Sequence, residues 1–225
     1  MQVRPMLLVL ALAGLAGCAA VPPAELGAWQ PMNLPGKLPT RYEPGVQEGR
    51  PAVLADSRAS ASMWRQRLQP ARASVGEVQF SWWVDSLMPG ASVADAERED
   101  ACARVLFGFA GDVSTLPART RMMFELAQAL TGEAPPFATL MYVWDSSLPV
   151  GTVVINPRSD RIRKIVVDSG PQHLRQWRDH RRDLAADFRL AFGEEPGPLT
   201  SMAVMTDSDN TRSQARTWYG AIELK

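Results

Sequence analysis

The residues of this chain best suited to chemistry are four aspartates, Asp145, Asp168, Asp207 and Asp209. Two carboxylates facing each other across an open cleft, about 5 to 9.5 Å apart, can share the general acid and base work of a carboxylate-dependent hydrolase. Asp207 and Asp209 stand two apart and are followed by Asn210. They offer the hard oxygens that calcium takes, although the segment Thr206-Asp207-Ser208-Asp209-Asn210-Thr211 lacks the glycine and closing glutamate of an EF-hand loop. The same short side chains also suit a plain tight connection, in which they bond nearby backbone amides. Other chemistries find less support. There are two histidines, His173 and His180, and no H-E-x-x-H or C-x-x-C that would mark a zinc site. No G-x-S-x-G elbow, P-loop or G-x-G-x-x-G is present, so neither that serine nucleophile nor a nucleotide cofactor is expected.

Elements that could position these residues show mostly a period of two. From Glu77 to Asp85, the apolar Val78, Phe80, Trp82 and Val84 alternate with Glu77, Gln79, Ser81, Trp83 and Asp85, as in a half-buried strand. Trp83 falls on the polar face with Asp85, where a ring among hydrogen-bonding groups could stack a sugar; the other reading is that a helix covers this face. Further strands are expected at residues 53–64, 101–110, 139–145, 151–156, 161–168, 199–206 and 215–224. Eight strands without regular strand-helix alternation predict an antiparallel β-sandwich.

Two helices interrupt the series. The first covers residues 119–130, with Met123, Leu126, Ala127 and Leu130 on one stripe. The second is expected from Pro171 to just before Gly193, a favoured start and a favoured stop. That helix would carry both histidines on one face. It would also carry the basic cluster Arg175, Arg178, His180, Arg181 and Arg182, a solvated face or, alternatively, a contact for anionic headgroups.

The N-terminus has the charged, apolar and small-residue order of an export signal, with Arg4, an apolar run over residues 6–15, and Cys18. The apolar run is too short to span a bilayer, which takes about 20 residues. Leu15-Ala16-Gly17-Cys18 reads as a bacterial lipobox, so residues 1–18 are expected to be a lipoprotein signal with Cys18 acylated. Ala19, not Asp, follows the cysteine, which directs such a chain to the outer membrane, facing the periplasm. Residues 19–28 read as a tether and residues 29–225 as a single domain. With Cys18 acylated, Cys102 has no disulfide partner.

Composition bounds the partners. The hydrophobic share is 46% with 21% charged, an ordinary folded range, and 24 basic residues balance 24 acidic ones. This neutrality removes the positive footprint of a nucleic-acid binder. The seven tryptophans give a core of large aromatics.

Several stretches carry a family resemblance: Leu34-Pro35-Gly36-Lys37, Ala59-Ser60-Ala61-Ser62, Phe80-Ser81-Trp82-Trp83, Tyr142-Val143-Trp144, and the segment 205–211 followed by Trp218-Tyr219-Gly220. Together with residues 100–107 and 165–170 they make the chain similar, over nearly all of its mature length, to the bacterial family called domain of unknown function 3047. The resemblance implies a jelly-roll, galactose-binding-like sandwich and no established activity. The expectation is therefore a non-catalytic module that binds a glycan or envelope component, with Trp83, Asp85, Asp207, Asp209 and Asn210 as ligand-binding candidates. The alternative is an envelope hydrolase built on the four aspartates.

Overall fold

Thirteen strands, two α-helices and a short 3-10 turn make up the computed structural model, which describes residues 29–225. The expected signal, Cys18 and the tether fall outside the described residues. The chain gives β1 (Trp29–Asn33), β2 (Arg41–Gln47), β3 (Arg50–Arg58), β4 (Ser62–Arg72), β5 (Glu77–Val84) and β6 (Ala101–Phe109). Helix α1 (Ala118–Thr131) leads to β7 (Ala138–Asp145), β8 (Val153–Asn156), β9 (Ser159–Ser169) and β10 (Trp177–Asp183). Helix α2 (Leu184–Phe192), β11 (Leu199–Asp207), β12 (Gln214–Tyr219) and β13 (Glu223–Leu224) complete the fold.

Sheet A has the order β1-β4-β11-β6-β7-β9-β8, and sheet B the order β10-β5-β12-β3-β2 with β13 added to β5. Among the described residues, only β7 and β9 pair in parallel. Eight strands, ordered β3-β12-β5-β10 and β4-β11-β6-β7, cross from one sheet to the other at each of the pairs β3/β4, β5/β6, β7/β10 and β11/β12. That is the order of a jelly-roll sandwich. The expected fold class is the one that forms.

Inner faces of the two sheets meet in a core that includes Phe80, Trp82, Phe107, Tyr142, Trp144 and Val204. The outer face of sheet A is apolar as well. Leu106, Met141, Val143, Val166 and Met205 form a second cluster there, against Val93 of the β5–β6 connection. Strand β6 is accordingly buried along its whole length, unlike the alternating β5.

Four segments differ from the sequence reading, and in one of them the single strand expected over residues 215–224 is interrupted at residues 220–222 to give β12 and β13. The single strand expected over residues 53–64 is broken into β3 and β4 by a turn at Ala59, whose φ of 47° is left-handed. The proline-rich segment before residue 51 supplies β1 and β2, each containing a proline (Pro31 and Pro44), and both lie at sheet edges. Edges are where a missing N–H is tolerated.

The largest correction concerns the second helix. Only α2 forms, capped by the Asp183 side chain on Ala186 N and ended by Gly193 at φ 72°. Residues Trp177–Asp183 are instead strand β10, with Trp177 opposite Trp83 and Asp183 opposite Glu77 of β5. Arg178 and His180 turn inward to Asp168, and Arg182 to Asp187, while Asp179 and Arg181 face outward. The open edge of β5 needs a partner, and charge-assisted bonds to buried acids fix this one in register. The basic cluster is therefore not a solvated helix face, and His173 and His180 share no helix.

Trp82 is fully buried and donates from Nε1 to Asp168 at 2.8 Å, whereas Trp83 lies half-buried on the outer face. Trp82→Ala is expected to cost about 3 to 5 kcal/mol in chemical denaturation, and Trp83→Ala well under half of that. Equal losses would contradict the assignment of the two faces.

Candidate functional site

In the connection between β5 and β6, Leu87, Met88 and Ala91 pack on the inter-sheet core, and the stretch from Val93 to Asp100 folds over the outer face of sheet A but covers only part of it. Asp145 and Lys164 hold this cover at Val93: Asp145 Oδ2 accepts from Val93 N at 2.9 Å, and Lys164 Nζ donates to Val93 O at 2.6 Å. Asp145 Oδ1 takes the amides of Ser147 and Leu148 as well. Beyond the cover lies an open groove of about 380 Å³. Its floor is made by Met63, Leu106, Met141, Ala203 and Met205, with Met32 beside them. Ala127 and Thr131 of α1 close one end. No aromatic side chain lines the groove among the described residues.

The other end is ionic. Arg104 projects from β6 and grips Asp207 at the end of β11 with two bonds, Nε to Oδ1 and NH2 to Oδ2, both 3.0 Å. Asp207 Oδ1 also accepts from Ala101 N at 3.0 Å. Burial pushes the Asp207 carboxyl up to about 6 even though Arg104 opposes the shift. Lys164, pulled down to about 8 by burial and by the neighbouring Arg104, donates to Glu99 Oε1 at 2.6 Å. Asn156 donates to the same oxygen at 2.8 Å. Glu99 Oε2 accepts no hydrogen bond among the described residues; Arg158 lies 3.7 Å from it, and Arg104 3.7 Å from Oε1. Asp209 pairs with Lys37 at the rim, next to Asn210.

Asp207 and Asp209 do come together, and Asp100 joins them: their carboxylate oxygens lie within 4.8 Å of one another. Asp100 is spent on the loop, accepting from Asn210 N, Thr211 N and Thr211 Oγ1. Lys37 and Arg104 already neutralise the other two, so the set lacks the several free oxygens that calcium requires. Asp168, the last of the four aspartates, is bound by Trp82 Nε1, His180 Nε2 and Arg178 Nε at 2.8 to 3.0 Å. Burial alone would raise it; the bonds from His180 and Trp82 outweigh burial and hold it below the usual carboxylate range.

Trp83 and Asp85 sit on the far side of the molecule, on the outer face of sheet B. Register places Trp83 between Trp177 and Trp218 on neighbouring strands. Among the described residues no helix covers them. The tip of the β2–β3 hairpin does so in part, with Trp83 Nε1 donating to Glu48 at 3.0 Å and Trp177 Nε1 to Gln47 O at 3.1 Å. Asp85 faces Arg175. The five ligand-binding candidates thus divide between two opposite faces. Sequence reasoning missed Glu99, Asp100, Arg104 and Lys164. A signal existed in Lys164, a lysine within the apolar run of β9 that had to find a buried acid.

The strand order and the two packed sheets make the chain a jelly-roll β-sandwich protein. Within it, residues 27–223 match the family described as protein of unknown function (DUF3047), and the chain belongs to that family. No functionally curated protein matches the sequence. Among solved structures, the family 11 carbohydrate-binding module from Clostridium thermocellum, in complex with a beta-1,3-1,4-mixed-linked tetrasaccharide, is similar at 8% identity and a TM-score of 0.43. That alignment covers 93% of this chain and 92% of that one. The xyloglucanase domain of NopAA from Sinorhizobium fredii, in complex with cellobiose, is similar at 9% identity and a TM-score of 0.43, covering 88% of this chain and 93% of that one.

Arg104→Met leaves Asp207 buried without its counterion, an arrangement that costs about 3 to 5 kcal/mol. The carboxyl already sits above its usual 3.8, at about 6, and would rise further in the variant. A raised carboxyl favours the fold at low pH and loses that contribution as pH climbs through the folded value. Urea denaturation is therefore expected to show a larger loss near about pH 8 than near about pH 5. A loss independent of pH would contradict the pairing.

Proposed function

We propose that the protein is a lipid-anchored, non-catalytic binding module of the cell envelope. Acylated Cys18 holds it to the outer membrane, the domain faces the periplasm, and an envelope component binds in the groove of sheet A. The lipobox Leu15-Ala16-Gly17-Cys18 followed by Ala19 supports the anchor. One observation carries the binding reading: the groove has an apolar, methionine-rich floor, while Asp145, Asp168, Asp207 and Asp209 are each tied to internal amides or cations. A general acid or base must reach a substrate proton, and these carboxylates are engaged elsewhere.

The chemistry of the groove narrows its ligand. Methionines adapt to irregular apolar shapes, and the floor offers no ring on which a sugar could stack. Glu99 Oε2 remains as an acceptor for a hydroxyl or ammonium donor, with Asp209 and Asn210 at the rim. This combination fits an amphipathic envelope component better than a bare glycan. A saccharide would find its platform on the other face, at Trp83 with Asp85.

Cys18→Ser is expected to yield an unprocessed chain without lipid, seen by mass spectrometry. A variant still cut before residue 18 and still acylated would overturn the anchor. For the groove, envelope extract is passed over the immobilised protein and retained small molecules are identified by mass. Met63→Glu, a charge placed in the floor, should abolish retention of amphipathic species. Retention unchanged in that variant, or lost only in Trp83→Ala, would remove the groove as the site.

A further inference from the structure

Helix α1 lies where the sequence pattern put a helix, yet it buries no residue. Met122, Met123, Leu126 and Leu130 are 50 to 63% exposed, an unusual concentration of large apolar surface on one short element. At 100° per residue these four fall on a single arc with Ala118, Ala129 and Arg119, while Thr120, Phe124 and Ala127 turn toward the domain. Ile155 on β8, also more than half exposed, lines the groove between α1 and the β8–β9 hairpin together with Met123.

Charges at the start of α1 run against what an isolated helix in water would choose. Its first turn has no acid and carries Arg119, with Arg121 just after it, and Pro117 provides no side-chain cap. Cations near a helix N-terminus are unfavourable, and a nearby anion would reverse that penalty. An anionic, apolar layer supplies both: phosphates for Arg119 and the helix end, and acyl chains for the methionine and leucine arc. At 14 residues, or about 21 Å, α1 can lie in such a layer but not cross one. Among the described residues no helix is long and apolar enough to cross a membrane.

The register of sheet A brings α1 to where a membrane would be. Trp29, at the start of β1, lies in the row Trp29, Gln66, Met202, Phe107, Leu140. Since β1 is antiparallel to β4, its first residue, Trp29, lies at the side of β1 nearer Arg67, the end of the sheet at which α1 joins Phe109 to Ala138. Covalent geometry limits the span from Cys18 to Trp29 to about 40 Å. An acylated Cys18 would thus keep Trp29 within about 40 Å of the bilayer, a reach that allows α1 to touch it.

We propose that the exposed face of α1 is a membrane-contact surface that rests in the headgroup layer of the bilayer carrying Cys18, and so turns the α1 end of the sheet A groove toward the lipid. The inference rests on the anchor reading above. The test uses the full acylated protein with Leu126→Cys bearing a fluorescent NBD group. Arg216→Cys on the outer face of sheet B serves as the comparison site. Burial pushes the Cys102 thiol up to about 12, so only the introduced cysteine is labelled. In vesicles of phosphatidylethanolamine and phosphatidylglycerol, the probe at position 126 should shift to the blue and lose accessibility to dithionite, while the probe at 216 does neither. Met122→Glu should restore accessibility at 126. Acylated protein with both probes accessible, both shielded, or 126 shielded only in native membranes that contain other proteins would overturn the proposal and leave the anchor standing. Protein without acyl groups by mass would overturn the anchor and the proposal with it.

Discussion

Sheet A is apolar on both faces, and among the described residues one other sheet is present to cover it. The inner face is met by sheet B; the outer face would be left more open to water without the part of the β5–β6 connection that begins at Val93. That connection has no ladder of its own, so its backbone polar groups must be satisfied singly if it is to lie on an apolar surface. Val93 shows how this is done, its N–H bonded to Asp145 and its carbonyl to Lys164. Burying side chains such as Val143 and Val166 contributes roughly 1.5 to 3 kcal/mol each, which offsets part of the entropy lost in ordering the loop over them. The cover ends before the sheet does. The groove is the uncovered remainder, and its polar end is the set of charged groups that hold the cover down.

Internal ion pairs recur wherever the sandwich cannot close on apolar side chains alone. At the groove they are Arg104 with Asp207 and Lys164 with Glu99; at the β10 flank they are Arg178 with Asp168, which is also hydrogen-bonded to His180, and Arg182 with Asp187. Buried pairs of this kind contribute little net stability, but breaking one is costly, so they penalise every register but the native one. For β10 they replace the apolar inward face that other strands use. Tyr142 joins this flank by donating to Asp187 at 2.7 Å, which ties the charged strip to the aromatic core.

Much of the architecture was legible because most strands follow the hydrophobic rule. Val78, Phe80, Trp82 and Val84 alternate and are buried as expected, and α1 and the Gly193 stop fall where the pattern put them. Strand β10 was not legible as a strand, since Arg178, His180 and Arg182 are its inward side chains and a scan for apolar alternation sees only charge. The same segment has helix-like spacing between Leu174, Trp177, Leu184 and Phe188, of which only the last two reach α2. The groove was half legible. Asp207, Asp209 and Asn210 stood out as a dense polar segment, whereas Glu99 and Asp100 end a charged run that reads as a solvated loop. Whether a carboxylate is spent on a neighbour cannot be seen from spacing, and that separates a catalytic aspartate from one holding a turn.

The central claim is that the uncovered part of sheet A receives the ligand. Methyl-selective NMR on methionine-labelled protein reports it directly, because Met32, Met63, Met141 and Met205 line the groove while Met88 sits in the inter-sheet core. On titration with lipid extracted from the envelope, the four groove methyls should shift together and saturate at a common concentration, with Met88 unmoved. Unshifted groove methyls, or shifts shared equally by Met88, would contradict the account.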